Sequence, residues 1–300
     1  MGDCRVSLLF QRAFGALEAL HAGDGRPESG GLLEWTLALG TWLIERRGGR
    51  PPSADVITPG SAPPFPEPPA GLDLAQRVAG AGAAVGLARR PQDHNGVVDD
   101  AVSLVQPFAD ASDAIASAAA IAGFLSGLLD GWAMEGALAQ SLFIAQRAEA
   151  FGAVKGPSVT AAIRAVFDEI YAGARSRFRP EGAAAGGRPA GGAGAAGALK
   201  TEKLAVHQLA AEALGLAYLS QDAAKAIAAA AGLDGGGRCL AAVAGMLGGA
   251  FAPASLPAEA RAGLDQQTPV LEVVEDLLDL RTFRYLRVPQ YRDRFRRKKC

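Results

Sequence analysis

The side chains that most often do chemistry are few in this sequence and far apart. The histidines are His21, His94 and His207, and the cysteines are Cys4, Cys239 and Cys300. Neither set has metal-ligand spacing, because no His-Glu-x-x-His and no Cys/His pairing occurs. Three scattered cysteines make no disulfide framework and suit a reducing, cytoplasmic compartment. No nucleophile elbow, no Walker loop and no strand-borne G-x-G-x-x-G is present. One device stands out. Asp234-Gly235-Gly236-Gly237-Arg238 is a glycine-rich turn that runs into the apolar, helix-spaced stretch Leu240–Phe251. Free N–H groups at a helix start, next to a guanidinium, are a seat for phosphate. Asp99-Asp100 is the one adjacent aspartate pair, and reads as two carboxylates at a helix start, where the helix dipole favours them.

The elements that must hold these residues are helical throughout. The 300 residues are 49% hydrophobic and 6% aromatic, with long alanine runs, enough for a buried core rich in helix formers. Helical spacing is expected over 7–22, 32–45, 72–88, 97–106, 113–130, 135–151, 158–177, 199–219, 221–231, 240–251, 256–264 and 270–280, with Asp113 and Ser158 as N-caps. The glycines of 72–88 suit close helix packing. No stretch alternates long enough for a strand, so the class is all-α. The stretch 114–129 is too short and glycine-broken for a membrane span, and no transmembrane segment or signal peptide is expected. Gly2 and Cys4 do not complete an acylation motif, because Val6 stands where Ser or Thr is wanted, and the terminal Cys300 cannot be a CaaX cysteine.

Two stretches interrupt the pattern. Residues 50–71 are Pro-rich, either an ordered excursion or a mobile loop, and 180–197 are nearly all Gly, Ala and Pro and read as a mobile loop. One domain over 1–280 and a separate tail over 281–300 follow. The chain is close to neutral, at −1, which excludes a global field for nucleic acid or anionic lipid. The tail differs. Arg281 to Lys299 holds nine Arg/Lys against one acid, Asp293, interleaved with Tyr285, Tyr291 and Phe295. It reads either as a polyanion contact to nucleic acid or lipid, or as a solvated segment that packs its aromatics on the body.

The stretch Gly235–Ala250, GGGRCLAAVAGMLGGA, resembles the C-terminal signature of the ADP-ribosylglycohydrolase family, Gly-Asp-Thr-Asp-Thr followed by an Ala/Gly-rich helix. LPAEARAGLD (256–265) and VLEVVEDLLDLR (270–281) are similar to the family's closing helices. Arg12-Ala13-Phe14-Gly15-Ala16-Leu17 through Gly23-Asp24 resembles its opening helix. Leu32-Leu33-Glu34-Trp35-Thr36-Leu37-Ala38-Leu39 falls where the family has Thr-Asp-Asp-Thr-x-Leu-Ala-Leu, and Asn95-Gly96 where it has an Asn-Gly loop. The resemblance implies an all-α domain with a central cleft that binds ADP-ribose and two Mg²⁺ ions, and a hydrolysis that releases ADP-ribose from a modified group.

The departures fall on the metal. Leu33 and Glu34 stand at the aspartates of the first motif, and Gly236 and Arg238 at those of the second, so that Glu34 alone keeps a carboxylate there. Mg²⁺ needs several oxygen ligands, and a fixed guanidinium at Arg238 opposes a cation. The expectation is a catalytically inactive relative without cofactor, a binding or structural module. Its cleft candidates are Asp24, Glu34, Asn95, Gly96, Gly235, Gly236, Gly237 and Arg238, and its ligand ADP-ribose or another phosphate-bearing molecule. Two alternatives stand beside it: a metal-independent hydrolase using Asp24, Glu28 or Glu34, and a scaffold that touches nucleic acid or anionic lipid through its tail. For Arg238 two roles compete, an ion pair with Glu34 and an anion seat.

Overall fold

A computed structural model describes residues 2–24, 31–47, 64–173, 204–231, 233, 237–256 and 268–283. Among them the chain is helical, with no strand and one isolated bridge between Ala111 and Val154. The helices are α1 (Gly2–Asp24), α2 (Leu32–Arg46), α3 (Leu74–Ala88), α4 (His94–Val105), α5 (Ser112–Leu129), α6 (Met134–Ala148), α7 (Val159–Tyr171), α8 (Val206–Ser220), α9 (Ala223–Ala231), α10 (Gly237–Phe251) and α11 (Thr268–Phe283). Residues 50–63, the stretch 180–197, the expected helix beyond Leu256 and the tail from 284 lie outside the described residues.

Local chemistry explains several starts and stops. Asp73 caps α3 in a reciprocal box with Gln76, its side chain accepting from the Gln76 N–H at 2.9 Å while its own N–H donates to Gln76 Oε1 at 3.1 Å. Ser158 caps α7 as expected. Asp113 caps nothing: α5 begins one residue earlier, at Ser112, so Asp113 sits inside its first turn. Likewise Asp93 caps α4, which starts before Asp99 and leaves the aspartate pair mid-helix. Helix α8 stops where Gln221 takes a left-handed conformation, φ +49°.

Helix α5 is the centre of the core. It is long and apolar enough to cross a membrane by length and composition, yet all its residues but Asp113 are buried inside the fold, with α3 and α6 on its flanks. The α3 glycines permit this approach, as expected. A Cβ at Gly82 would stand 2.8 Å from the Ala118 carbonyl oxygen, and one at Gly86 2.9 Å from Leu125. These pairs advance together along both helices, so α3 and α5 run parallel. Helix α2 runs the same way, with Trp35 Nε1 donating to the Arg77 carbonyl at 3.0 Å near the start and Arg47 reaching Asp100 at the end. Helices α1 and α10 are antiparallel and very close: Gly15 lies against Gly249, Ala19 faces Gly245, and Gly23 meets Ala242. The last residues of the Pro-rich stretch are ordered, with the Phe65 ring 5.4 Å from Trp42 and 6.2 Å from Trp35.

Candidate functional site

This packing gathers the amino ends of α2, α3 and α10 around the carboxyl end of α1. Gly23 makes the approach possible, since a Cβ there would stand 2.5 Å from the Ala242 Cα, with no room to yield against backbone. The next residue, Asp24, is 2% exposed. One of its oxygens, Oδ2, accepts from the Leu32 N–H at 2.9 Å and so caps α2, whose own N-cap is the side-chain-less Gly31. Its other oxygen, Oδ1, is buried with no hydrogen-bond partner. Burial of a carboxylate oxygen without a donor is costly, which makes this atom the most receptive acceptor at the site.

Helix α10 enters from the other side. Gly237 takes a left-handed φ of +53°, and Arg238 follows it on the exposed surface, with no ion-pair partner among the described residues. Cys239 lies next, half-buried, and its thiol pKa is pushed up first by burial and then by the Asp73 and Asp24 carboxylates. A thiol so held is neutral and unreactive. Asp24, Asp73 and Cys239 thus share one electrostatic neighbourhood.

The site residues expected from sequence divide. Asp24, Glu34, Gly237 and Arg238 lie on helix ends at this side of the fold. Gly235 and Gly236 lie outside the described residues. Glu34 and Arg238 are both exposed, and no ion pair joins them. Asn95 and Gly96 are elsewhere, at the start of α4 beside the carboxyl end of α3. At ~1.5 Å per residue, that end is about 24 Å of helix from Asp73. There the Gly96 N–H donates to Asp93 Oδ1 at 3.3 Å, and Asn95 Oδ1 accepts from Arg147 at 2.6 Å. The residue that faces α10 in their place is Asp73. Its signal was the Asp-x-x-Gln spacing before an apolar run, a capping box that marks a helix start facing a neighbour.

The far end holds its own charges, bound to each other. Arg89 spans Asp100, at 2.6 and 3.1 Å, and Asp93, at 2.5 Å, while Arg47 pairs with Asp100 from the end of α2. Burial pushes the Asp100 carboxyl up to about 6, against the downward pull of Arg89. Asp100 is therefore an ion-pairing core residue rather than a solvated helix-start carboxylate. Arg281 also departs from expectation. It is buried in α11, 1% exposed, and is no part of a solvated basic run.

Compared with known proteins, the chain matches no family model and no curated protein. The donor set does not fit the two Mg²⁺ ions that the resemblance implies. Leu32, Leu33 and Trp35 are buried apolar side chains at the first motif position, Arg238 is a cation at the second, and no cluster of three His, Cys, Asp or Glu ligands forms among the described residues.

Two shallow grooves lie away from this end. One of about 420 Å³ is lined by Glu149, Ser158, Thr160 and Arg164, and its helix end is already filled by Glu149, which accepts from the Thr160 N–H at 2.8 Å. The other, about 480 Å³, lies between Asn95, Asp99, Arg147 and Phe151.

Proposed function

We propose that this protein is a non-hydrolysing relative of the ADP-ribosylglycohydrolases, a helical module that binds ADP-ribose or a similar phosphate-bearing nucleotide without metal. The observation that carries this reading is the meeting of three helix amino ends at one place, with Arg238, unpaired among the described residues, on its surface and the orphaned Asp24 Oδ1 beneath it. With α2 and α3 capped by Asp24 and Asp73, it is the amino end of α10 and the Arg238 guanidinium that favour a pyrophosphate. A buried carboxylate oxygen that lacks a donor favours a hydroxyl, which a ribose supplies. Hydrolysis by a carboxylate pair is disfavoured, because Asp24 is engaged in capping α2 and Asp73 in capping α3.

Calorimetric titration of ADP-ribose into the full chain tests the reading, with ADP-ribosylated peptide as a hydrolysis control. Saturable binding in EDTA, lost in Arg238→Glu, with no release of ADP-ribose from the peptide, is the expected result. Turnover of the peptide contradicts it.

A further inference from the structure

The carboxyl ends of α3 and α5 form a socket of acceptors, and Arg281 fills it. Its Nη1 donates to the carbonyls of Gly86, at 3.0 Å, and of Arg89, and to Ser126 Oγ at 3.3 Å. Its Nη2 donates to the Ser126 carbonyl at 2.7 Å and to Asp130 Oδ1 at 2.5 Å, and Nε reaches the same carboxylate oxygen at 3.2 Å. Every nitrogen of the guanidinium is satisfied, and its side chain is 0% exposed. Two parallel helices turn their negative dipole ends and carbonyl oxygens toward this point, so the socket selects a cation. The planar spread of acceptors selects a guanidinium over an ammonium, which is a compact point charge with fewer donors. Asp130 forms the rim, with its side chain 25% exposed.

The occupant comes from the end of α11. The earlier turns of that helix are held by Val270, Val274, Leu277 and Leu278, and Leu280, partly buried, packs on the same core just before Arg281. Arg90 adds one bond from the other side, its Nε donating to the Arg281 carbonyl at 3.0 Å.

We propose that this socket is a guanidinium-binding site, filled by Arg281 in the resting fold, and that this side chain anchors the last turn of α11 to the ends of α3 and α5. A vacated socket then binds a free guanidinium compound or the arginine side chain of a peptide.

The test is chemical rescue in the full chain. Arg281→Ala should lose thermal stability, and millimolar methylguanidinium, too dilute to denature, should restore part of it. Methylammonium at the same ionic strength should restore none. Equal responses to the two cations, or no response to either, overturn the proposal. Asp130→Asn keeps the socket filled and serves if Arg281→Ala does not fold. Loss of the charge partner should speed amide exchange in residues 279–283 on the order of tenfold, with α5 unchanged, which corresponds to about 1.4 kcal/mol of local opening. Unchanged exchange in that turn also overturns the proposal.

Discussion

The two ends of the α2–α3 pair are built on opposite principles. At the carboxyl end every buried charge has a partner: Asp100 has Arg89 and Arg47, and Arg281 has Asp130 and three carbonyls. At the amino end one buried carboxylate oxygen has none, and a surface arginine has no ion-pair partner among the described residues. A completed ionic network specifies an arrangement of helices. An incomplete one, next to several helix amino ends, leaves donors and an acceptor for something else to use. The difference separates residues that hold the fold from residues that are available to a ligand, although both sets are charged and both sit at helix ends.

The largest expected effect breaks the carboxyl end. Arg281→Ala removes the guanidinium that pairs with Asp130 and bonds the Gly86, Arg89 and Ser126 carbonyls, and should cost about 3–5 kcal/mol in denaturant unfolding. A cost below about 1 kcal/mol would show that the network is ornamental to stability. Next is Gly23→Ala, which sets a methyl against the α10 backbone and should cost about 1–3 kcal/mol by forcing α1 and α10 apart. A neutral result would mean that the helix ends meet more loosely than described. Asp24→Ala removes the cap on α2 and should cost about 1–2 kcal/mol. Asp24→Asn keeps an acceptor for the Leu32 N–H and should cost less than the alanine. If the two cost the same, Asp24 acts through its charge rather than as a cap.

The smallest effect is in pH. The Asp100 carboxyl titrates near 6 in the folded chain, above 3.8 for a free carboxyl. Its contribution to stability is thus complete below pH ~4 and is lost as the pH rises through 6. The stability difference between wild type and Asp100→Asn should shrink from pH 4 to pH 7. Growth over the same range would show that Arg47 and Arg89 favour the ionised form more than burial opposes it.

How much of this was legible in the sequence differs between the ends. The helices followed from apolar spacing, and the glycines at 80, 82 and 86 announced a close neighbour. Asp24 was found through the resemblance of the stretch from Arg12 to Asp24 to the family's opening helix. Asp73 was missed because the box Asp73-x-x-Gln76 reads as local structure, and only the fold places it opposite Cys239. The Asp99-Asp100 pair was misplaced because α4 starts at His94. That start turns Asp100 onto the face of Val97, Ala101 and Leu104 and leaves Asp99 exposed. Arg281 was grouped with the basic run by composition. Its spacing says otherwise: 270, 274, 277 and 281 form one buried helical stripe, and the arginine ends it. Composition sees charge, whereas periodicity sees direction, and at Arg281 the direction decides.

The contrast between a closed end and a receptive one is tested most directly by titrating ADP-ribose into the full chain by calorimetry, in EDTA and again with Mg²⁺. The account predicts saturable binding of the same affinity in both, abolished by Arg238→Glu and unchanged by Arg147→Ala, which alters only the groove at the opposite end. Mg²⁺ alone should leave the melting temperature where it was, because a ligand stabilises the fold only in proportion to its affinity for it. Absence of binding, or binding and melting that both rise with Mg²⁺ and fall in EDTA, would contradict it.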